Sequence, residues 1–305
     1  MSTLKARSLR LLFGSCVGVG GLAALELLLR MTVAPPDVDY PALYRLHGAD
    51  GFAMLEQSGM SLELLDGAHS LLQEDEELLW RLRPGLDLRA TVSLSDGPPW
   101  RVRTNALGFR DEDQEADLIA LGDSSTFGWG VDTAWPDHLE AMLGEPVLNL
   151  GVPGYSSLQG EVLLGERRPR VLILAFGAND GHQVLRSDAH SLQAPSTLAP
   201  SRLHLVQHGR RLLYRPWAQG TVVAWKAGLS QPRVDPEAFR AVHERLRAHA
   251  EQVLLVEVCV RDEYARVLEE LDLPRVRYEG PTLDGCHPTA EGHEALADQL
   301  AALLR

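Results

Sequence analysis

The sequence predicts an α/β protein: a three-layer, doubly wound parallel sheet with a small β-rich N-terminal lead-in and an N-terminal membrane helix. Three observations carry this expectation. From residue 117 onward, short apolar runs alternate with stretches of helical periodicity, the rhythm of a parallel sheet covered on both faces. Over residues 31–110 the pattern is less regular, with partial apolar/polar alternation and turn signals at Pro84-Gly85 and Asp96-Gly97-Pro98-Pro99. At the start, Lys5, Arg7 and Arg10 precede an apolar stretch from Leu11 to Leu29.

That apolar stretch, as a helix, rises about 28 Å, close to the hydrocarbon thickness of a bilayer. Glu26 interrupts it, but near the distal end, where a carboxylate reaches the headgroups at modest cost. The three preceding cations favour an N-terminus inside and the remaining chain outside the cytoplasm. A cleaved signal peptide is the competing reading, and the protein is then secreted. Pro35 directly after Thr32-Val33-Ala34 makes a poor cleavage site, and too little apolar sequence precedes Phe13-Gly14-Ser15-Cys16 for a lipidation box. Residues 1–30 are therefore read as a signal anchor in contact with the membrane.

Residues 31–110 form the lead-in, with strand candidates at Leu78–Arg83 and Trp100–Arg103. The main domain spans 111–305. Its strand candidates are Asp117–Leu121, Val147–Leu150, Val171–Ala175, Val253–Val258 and Arg275–Tyr278. Helices are expected at Trp135–Leu143, Pro236–Ala250 and Ala290–Leu304. Residues 185–234 break the rhythm as an insertion carrying Tyr214, Trp217 and Trp225, suited to a lid, a partner surface or an extra helical pair.

The net charge of -13 argues against a nucleic-acid surface, which needs a basic patch. Only Lys5 and Lys226 are lysines, so arginine carries nearly all positive charge. The acidic runs 74–77 and 111–113 read as solvated faces. Three cysteines make no disulfide framework, and Cys16, Cys259 and Cys286 are expected as free thiols.

Four polar motifs fall after strands. Gly122-Asp123-Ser124 follows the first, Asn149 to Gly154 the second and Gly177-Ala178-Asn179-Asp180 the third. Asp284-Gly285-Cys286-His287 follows the last. Ligands of open α/β sheets sit at the carboxyl ends of strands, so these groups converge on one edge. Each could also be plain structure: a turn at Ser124, loop glycines at 151 and 154, a helix cap at Asn179, a helix-start device or metal fragment at Asp284 and His287. Together they suit acyl chemistry. A serine hydroxyl needs an imidazole base, and the imidazole needs a carboxylate to fix its tautomer. The Gly154 N–H and the Asn179 amide are suitable donors to a developing oxyanion.

On these residues the chain resembles the SGNH hydrolases, the GDSL esterase and lipase superfamily, over about Asp117 to Arg305, in their membrane-anchored bacterial form. Ser125 stands where the name-giving motif has leucine. The resemblance implies Ser124 as nucleophile, His287 as general base and Asp284 as its orienting carboxylate. It also implies an oxyanion hole from the Ser124 and Gly154 N–H groups and the Asn179 side chain. It implies neither metal nor cofactor, and a small-molecule or glycan ester as substrate, with O-acetyl groups among the candidates. An acyltransferase would share the acyl-enzyme and differ only in the acceptor. Arg103 to Arg110 resembles a segment found ahead of this domain in anchored members. A metallophosphoesterase would need more histidine ligands near these motifs than His182 and His287. The same chain could also be read as an envelope-anchored binding module without activity, or as a secreted lipase.

Overall fold

The computed structural model describes residues 3–32, 62–64, 71–75, 77–92, 98–112, 115–184, 187–193, 203–206, 209 and 230–305. Helix α1 runs Thr3–Thr32 and contains the Leu11–Leu29 stretch. Among the described residues no helix is long and apolar enough to cross a membrane. The predicted helix is therefore present, while its role as a membrane span gains no support from the fold. Glu26 pairs with Arg30 at 2.6 Å and accepts the backbone N–H groups of His204 and Leu205 at 3.0 and 2.7 Å.

The lead-in is β-rich as expected. Strands β1 (Leu62–Leu64), β4 (Asp87–Val92) and β5 (Trp100–Arg103) pair antiparallel in the order β1-β4-β5. Strands β2 (Leu72–Asp75) and β3 (Leu79–Leu82) make a separate hairpin. Its turn is set by Asp75, whose Oδ1 accepts the N–H groups of Glu77 and Leu78 at 2.9 Å each.

The central sheet is parallel, in the order β12-β11-β8-β6-β7. Its strands are β6 (Leu118–Gly122), β7 (Val147–Gly151), β8 (Val171–Ala175), β11 (Gln252–Glu257) and β12 (Arg275–Arg277). Alternate residues face opposite sides. Leu118, Ala120, Val171 and Ile173 join a core with Trp135, Leu139, Leu296 and Leu300, from helices α3 (Trp135–Leu143) and α8 (Ala290–Leu304). Ile119, Leu121, Leu172 and Leu174 face the other way. They meet Leu164 of α4 (Ser157–Leu164), Phe239 and Leu246 of α6 (Pro236–Arg247), and Tyr264 and Leu268 of α7 (Asp262–Glu270). That second core also takes Leu79, Trp80, Leu82, Leu88, Trp100 and Val102, so the lead-in is continuous with the sheet's packing.

Helices α4, α6 and α8 start where side chains satisfy their free N–H groups. Ser156 and Gln159 form a capping box on α4, Asp235 accepts from Ala238 on α6, and Thr289 accepts from Gly292 on α8. The remaining elements are α2 (Ser124–Phe127), α5 (Asp188–Gln193), and β9 (Gln183–Val184) paired antiparallel with β10 (Gln231–Pro232). The 185–234 insertion thus leaves and returns at one place. Tyr214, Trp217 and Trp225 lie outside the described residues.

The thiol expectation is corrected. Cys259 and Cys286 form a disulfide with a Cα–Cα distance of 5.1 Å. Because β11 and β12 run parallel side by side, the segments leaving their carboxyl ends are neighbours, and the turn at Cys259 (φ 55°) meets the loop after β12. Cys16 lies outside the residues with described side chains.

Candidate active site

Ser124 is placed by two glycines that admit no side chain. A Cβ at Gly122 would stand 2.2 Å from Thr126 Oγ1, and one at Gly151 would stand 2.2 Å from the Phe127 nitrogen. Helix α2 can therefore begin directly at the end of β6 and press against β7. Asp123 caps it, accepting the Ser125 N–H at 2.9 Å, and Gly128 closes it in the left-handed region at φ 82°. As first residue of the helix, Ser124 directs its N–H out of the N-terminus, where no intrahelical acceptor exists. Asn149 stitches β7 to α2 by donating to Thr126 O at 3.1 Å and accepting from the Gly151 N–H at 2.9 Å.

Asp284 and His287 come from the loop before α8. Asp284 Oδ1 accepts the N–H groups of Cys286 and His287 at 3.0 and 2.9 Å. Its Oδ2 lies 2.6 Å from His287 Nδ1, and His287 Nε2 lies 2.8 Å from Ser124 Oγ. Partial burial disfavours the Asp284 charge, but the imidazole and the two N–H groups outweigh it and hold the carboxyl at about 2. An ionised Asp284 accepts only, so Nδ1 carries the proton and Nε2 is left to accept from the serine hydroxyl. The half-buried Trp129 ring lies 5.9 Å from the His287 ring, tilted by 32°.

Asn179 and Gly154 come from the other two loops. Asn179 Nδ2 donates to Asp123 Oδ2 at 2.8 Å, and Asp123 is buried, which pushes its carboxyl up. Asp180 accepts the Ser157 N–H and hydroxyl at 2.9 and 2.6 Å and the Gly177 N–H at 3.0 Å, tying this loop to the start of α4. Burial raises Asp180 to about 6 against these donors and Arg233. Gly154 sits at φ 80°, and a Cβ there would stand 3.3 Å from Trp80 Cζ2. The neighbouring His182 is lowered to about 4, chiefly by burial and then by Arg233 and Arg261.

All four strand-end motifs thus meet at one edge. The serine, imidazole and carboxylate form one hydrogen-bonded chain, and Asn179 is held next to it by Asp123, the residue before Ser124. Such a chain can move a proton from the hydroxyl to the imidazole and stabilise the imidazolium that results. Among the described residues, no three His, Cys, Asp or Glu side chains cluster as a metal-ligand set. Cavities of about 230 Å³, near Leu78 and Val152, and about 800 Å³, near Asp117 and Pro146, include none of these groups.

Sequence reasoning missed the groups that support the site. Arg110, at the end of the Arg103–Arg110 segment, is buried and donates to the carbonyls of Phe127, Gly128, Val131, Asp132 and Arg101 at 2.6–3.2 Å. Arg233, from the end of the insertion, pairs with the buried Asp188 at 2.8 Å and donates to Gly154 O at 2.6 Å. Neither arginine carried a local signal beyond its position in the motif or insertion.

No curated protein matches the chain. Solved structures match distantly. A protein of the G-D-S-L lipolytic family from Desulfitobacterium hafniense shares 13% identity over 61% of this chain and 98% of its own, with a TM-score of 0.36. Axe2, an acetylxylan esterase from Geobacillus stearothermophilus, shares 14% over 61% and 92%, with a TM-score of 0.36. A carbohydrate esterase family 2 enzyme from Corynascus thermopiles (Myceliophthora fergusii) shares 12% over 61% and 64%, with a TM-score of 0.39. The family model of the GDSL-like lipase/acylhydrolase family matches residues 120–295, from within β6 into α8. That match covers more than half of the sequence, and the chain belongs to this family of serine ester hydrolases.

Proposed function

We propose that Ser124 attacks the carbonyl carbon of an O-acyl ester while His287 takes its proton and Asp284 steadies the imidazolium. The tetrahedral oxyanion is received by the Ser124 and Gly154 N–H groups and the Asn179 amide. Collapse expels the alcohol, which is protonated by His287, and leaves Ser124 acylated. Water then enters on His287 and releases the acid. The single observation behind this reading is the continuous contact Ser124 Oγ, His287 Nε2, His287 Nδ1, Asp284 Oδ2, at 2.8 and 2.6 Å.

For the substrate we favour a short acyl group on a sugar hydroxyl. The support is the half-buried Trp129, whose ring lies 5.9 Å from the His287 ring and offers an aromatic surface beside the base. An acyltransferase would pass the same acyl group to a second sugar hydroxyl in place of water. We place the protein outside the cytoplasm. Lys5, Arg7 and Arg10 ahead of Leu11–Leu29 form the export signal, an anchor if retained, and the Cys259–Cys286 disulfide suits an oxidising compartment.

The test is hydrolysis of a series of nitrophenyl esters of increasing acyl length, beside acetylated oligosaccharides, with and without a glycan acceptor. Acetate release that disappears in Ser124→Ala, with fluorophosphonate labelling lost in the same variant, is expected. Turnover by a folded Ser124→Ala protein would sink the assignment.

A further inference from the structure

Gly154 donates to the oxyanion only if the peptide joining Pro153 and Gly154 keeps its plane. A trans peptide points its C=O and N–H in opposite directions, so whatever holds the Pro153 oxygen also aims the Gly154 hydrogen. The group that holds it is the indole of Trp80, in the lead-in strand β3, whose Nε1 donates to Pro153 O at 3.0 Å in a buried setting. The next peptide is held as well, since Arg233 Nη1 donates to Gly154 O at 2.6 Å. Both peptides flanking the Gly154 Cα are therefore pinned through their oxygens.

The pins are themselves fixed. Trp80 is 5% exposed, its ring meets the Tyr155 ring edge-on with centroids 5.5 Å apart, and its own carbonyl accepts the Tyr155 hydroxyl at 2.5 Å. The Arg233 guanidinium lies 5.7 Å from the Trp80 ring centroid and is locked by Asp188 and by Gln159 Oε1 at 2.7 Å. Gly154 at φ 80° has the backbone freedom this geometry needs. A donor on the Pro153 oxygen also polarises the amide and strengthens the N–H on its far side.

We propose that Trp80 and Arg233 are positioning residues of the oxyanion hole, with the Trp80 indole N–H aiming and polarising the Gly154 N–H through the Pro153 carbonyl. This rests on the acyl-transfer reading above and gives the lead-in a part in the chemistry of the main domain.

The experiment replaces Trp80 by its isostere benzothienylalanine, which keeps ring shape but has sulfur in place of the N–H, and compares it with Trp80→Phe. Both are assayed on an acetyl ester and on the matching thionoester, whose sulfur is a poor hydrogen-bond acceptor and gains little from an oxyanion hole. The isostere should lose about tenfold in kcat on the ester with KM nearly unchanged. It should lose little on the thionoester, so the ester-to-thionoester ratio falls about tenfold. Unchanged kcat in the isostere, or equal losses on both substrates, overturns the role of Trp80 while wild-type turnover that needs Ser124 still carries the parent reading. A wild type without such turnover overturns both. Because the isostere preserves packing, its comparison with the wild type decides the question even where Trp80→Phe fails to fold.

Discussion

The amide of Asn179 stands 2.8 Å from the carboxylate of Asp123, so the second residue of the nucleophile motif holds the side chain proposed as oxyanion donor. A primary amide has two N–H groups. One is used by Asp123, which fixes the amide plane and leaves the second N–H for another acceptor. The same carboxylate caps the helix that begins at Ser124, so Ser124 and Asn179 share one buried anchor.

Asn179→Ala should therefore lower kcat by roughly a hundredfold to a thousandfold, with KM little changed, because the lost interaction strengthens only as charge develops. Asp123→Ala should also lose catalysis and, in addition, about 1 kcal/mol or more of stability from the missing cap. Steady-state kinetics and melting temperature on both variants separate the effects. Near-normal kcat in a destabilised Asn179→Ala protein would leave Asn179 a structural residue.

The disulfide predicts a second outcome. Cys286 lies between Asp284 and His287, and its bond to Cys259 holds their loop against the end of β11. The two cysteines are 27 residues apart, a closed loop for which chain entropy gives about 3 to 4 kcal/mol. Cys259→Ser should lower stability by that order and reduce kcat through a looser Asp284–His287 loop. Thiol alkylation of the wild type should require prior reduction. Alkylation without reductant would show the bond absent, and full activity after complete reduction would show the loop holds without it.

Acid should destabilise the fold well above the range where Asp284 titrates. Burial lowers His182 and His243 to about 4 and His293 to about 3. His293 Nδ1 accepts the Trp135 N–H at 3.1 Å, a role open only to the neutral ring. In the unfolded chain an imidazole titrates near about 6.5. Between there and pH 4 the unfolded chain binds protons that the folded chain excludes, so stability falls as pH falls. The Asp284 contribution runs lower: it is present above the ordinary carboxylate range and is lost only as pH drops toward 2. Asp180, raised to about 6 by burial, works the other way below that pH, but the three histidines outnumber it, so the melting temperature should still decline from pH 7 to 4.5. A constant value across that range would contradict buried neutral histidines.

The sheet and the four motifs were legible because each rests on local pattern. Val171–Ala175, Trp135–Leu143 and Ala290–Leu304 have the predicted limits, since an apolar run or a helical stripe bounded by turn residues needs no long-range information. Helix α7 was missed because its buried Tyr264, Val267 and Leu268 are interspersed with charges over a short span. Helix α4 was missed although Ser156 and Gln159 had capping-box spacing. Trp80, Arg110, Arg233 and the Cys259–Cys286 pair act on residues far away in sequence. No spacing rule reports that Trp80 reaches Pro153 or that Arg110 reaches Phe127.

Arg110 supplies the last prediction. The residue is 5% exposed and makes no ion pair among the described residues, yet its guanidinium meets five main-chain carbonyls, four of them in the 127–132 loop that carries Trp129. Burial lowers it to about 10 despite Asp137 and Asp132, so it stays charged at neutral pH. The rings of Trp100 and Phe127 flank it at 5.3 and 5.1 Å. A lysine has three donors on one point, so Arg110→Lys would keep the charge and still leave at least two of these carbonyls unmatched. Hydrogen bonds to charged groups contribute about 1.5–3 kcal/mol each, and the variant should lose about 3 kcal/mol or more. Arg110→Met should lose more, because all five carbonyls are then without their donor. Urea unfolding of the three proteins at one pH gives the comparison. If Arg110→Lys unfolds at the wild-type midpoint, the carbonyl cage contributes nothing and the lead-in is held to the 127–132 loop by its other contacts, the Arg101 N–H to Asp132 Oδ1 bond at 2.6 Å among them.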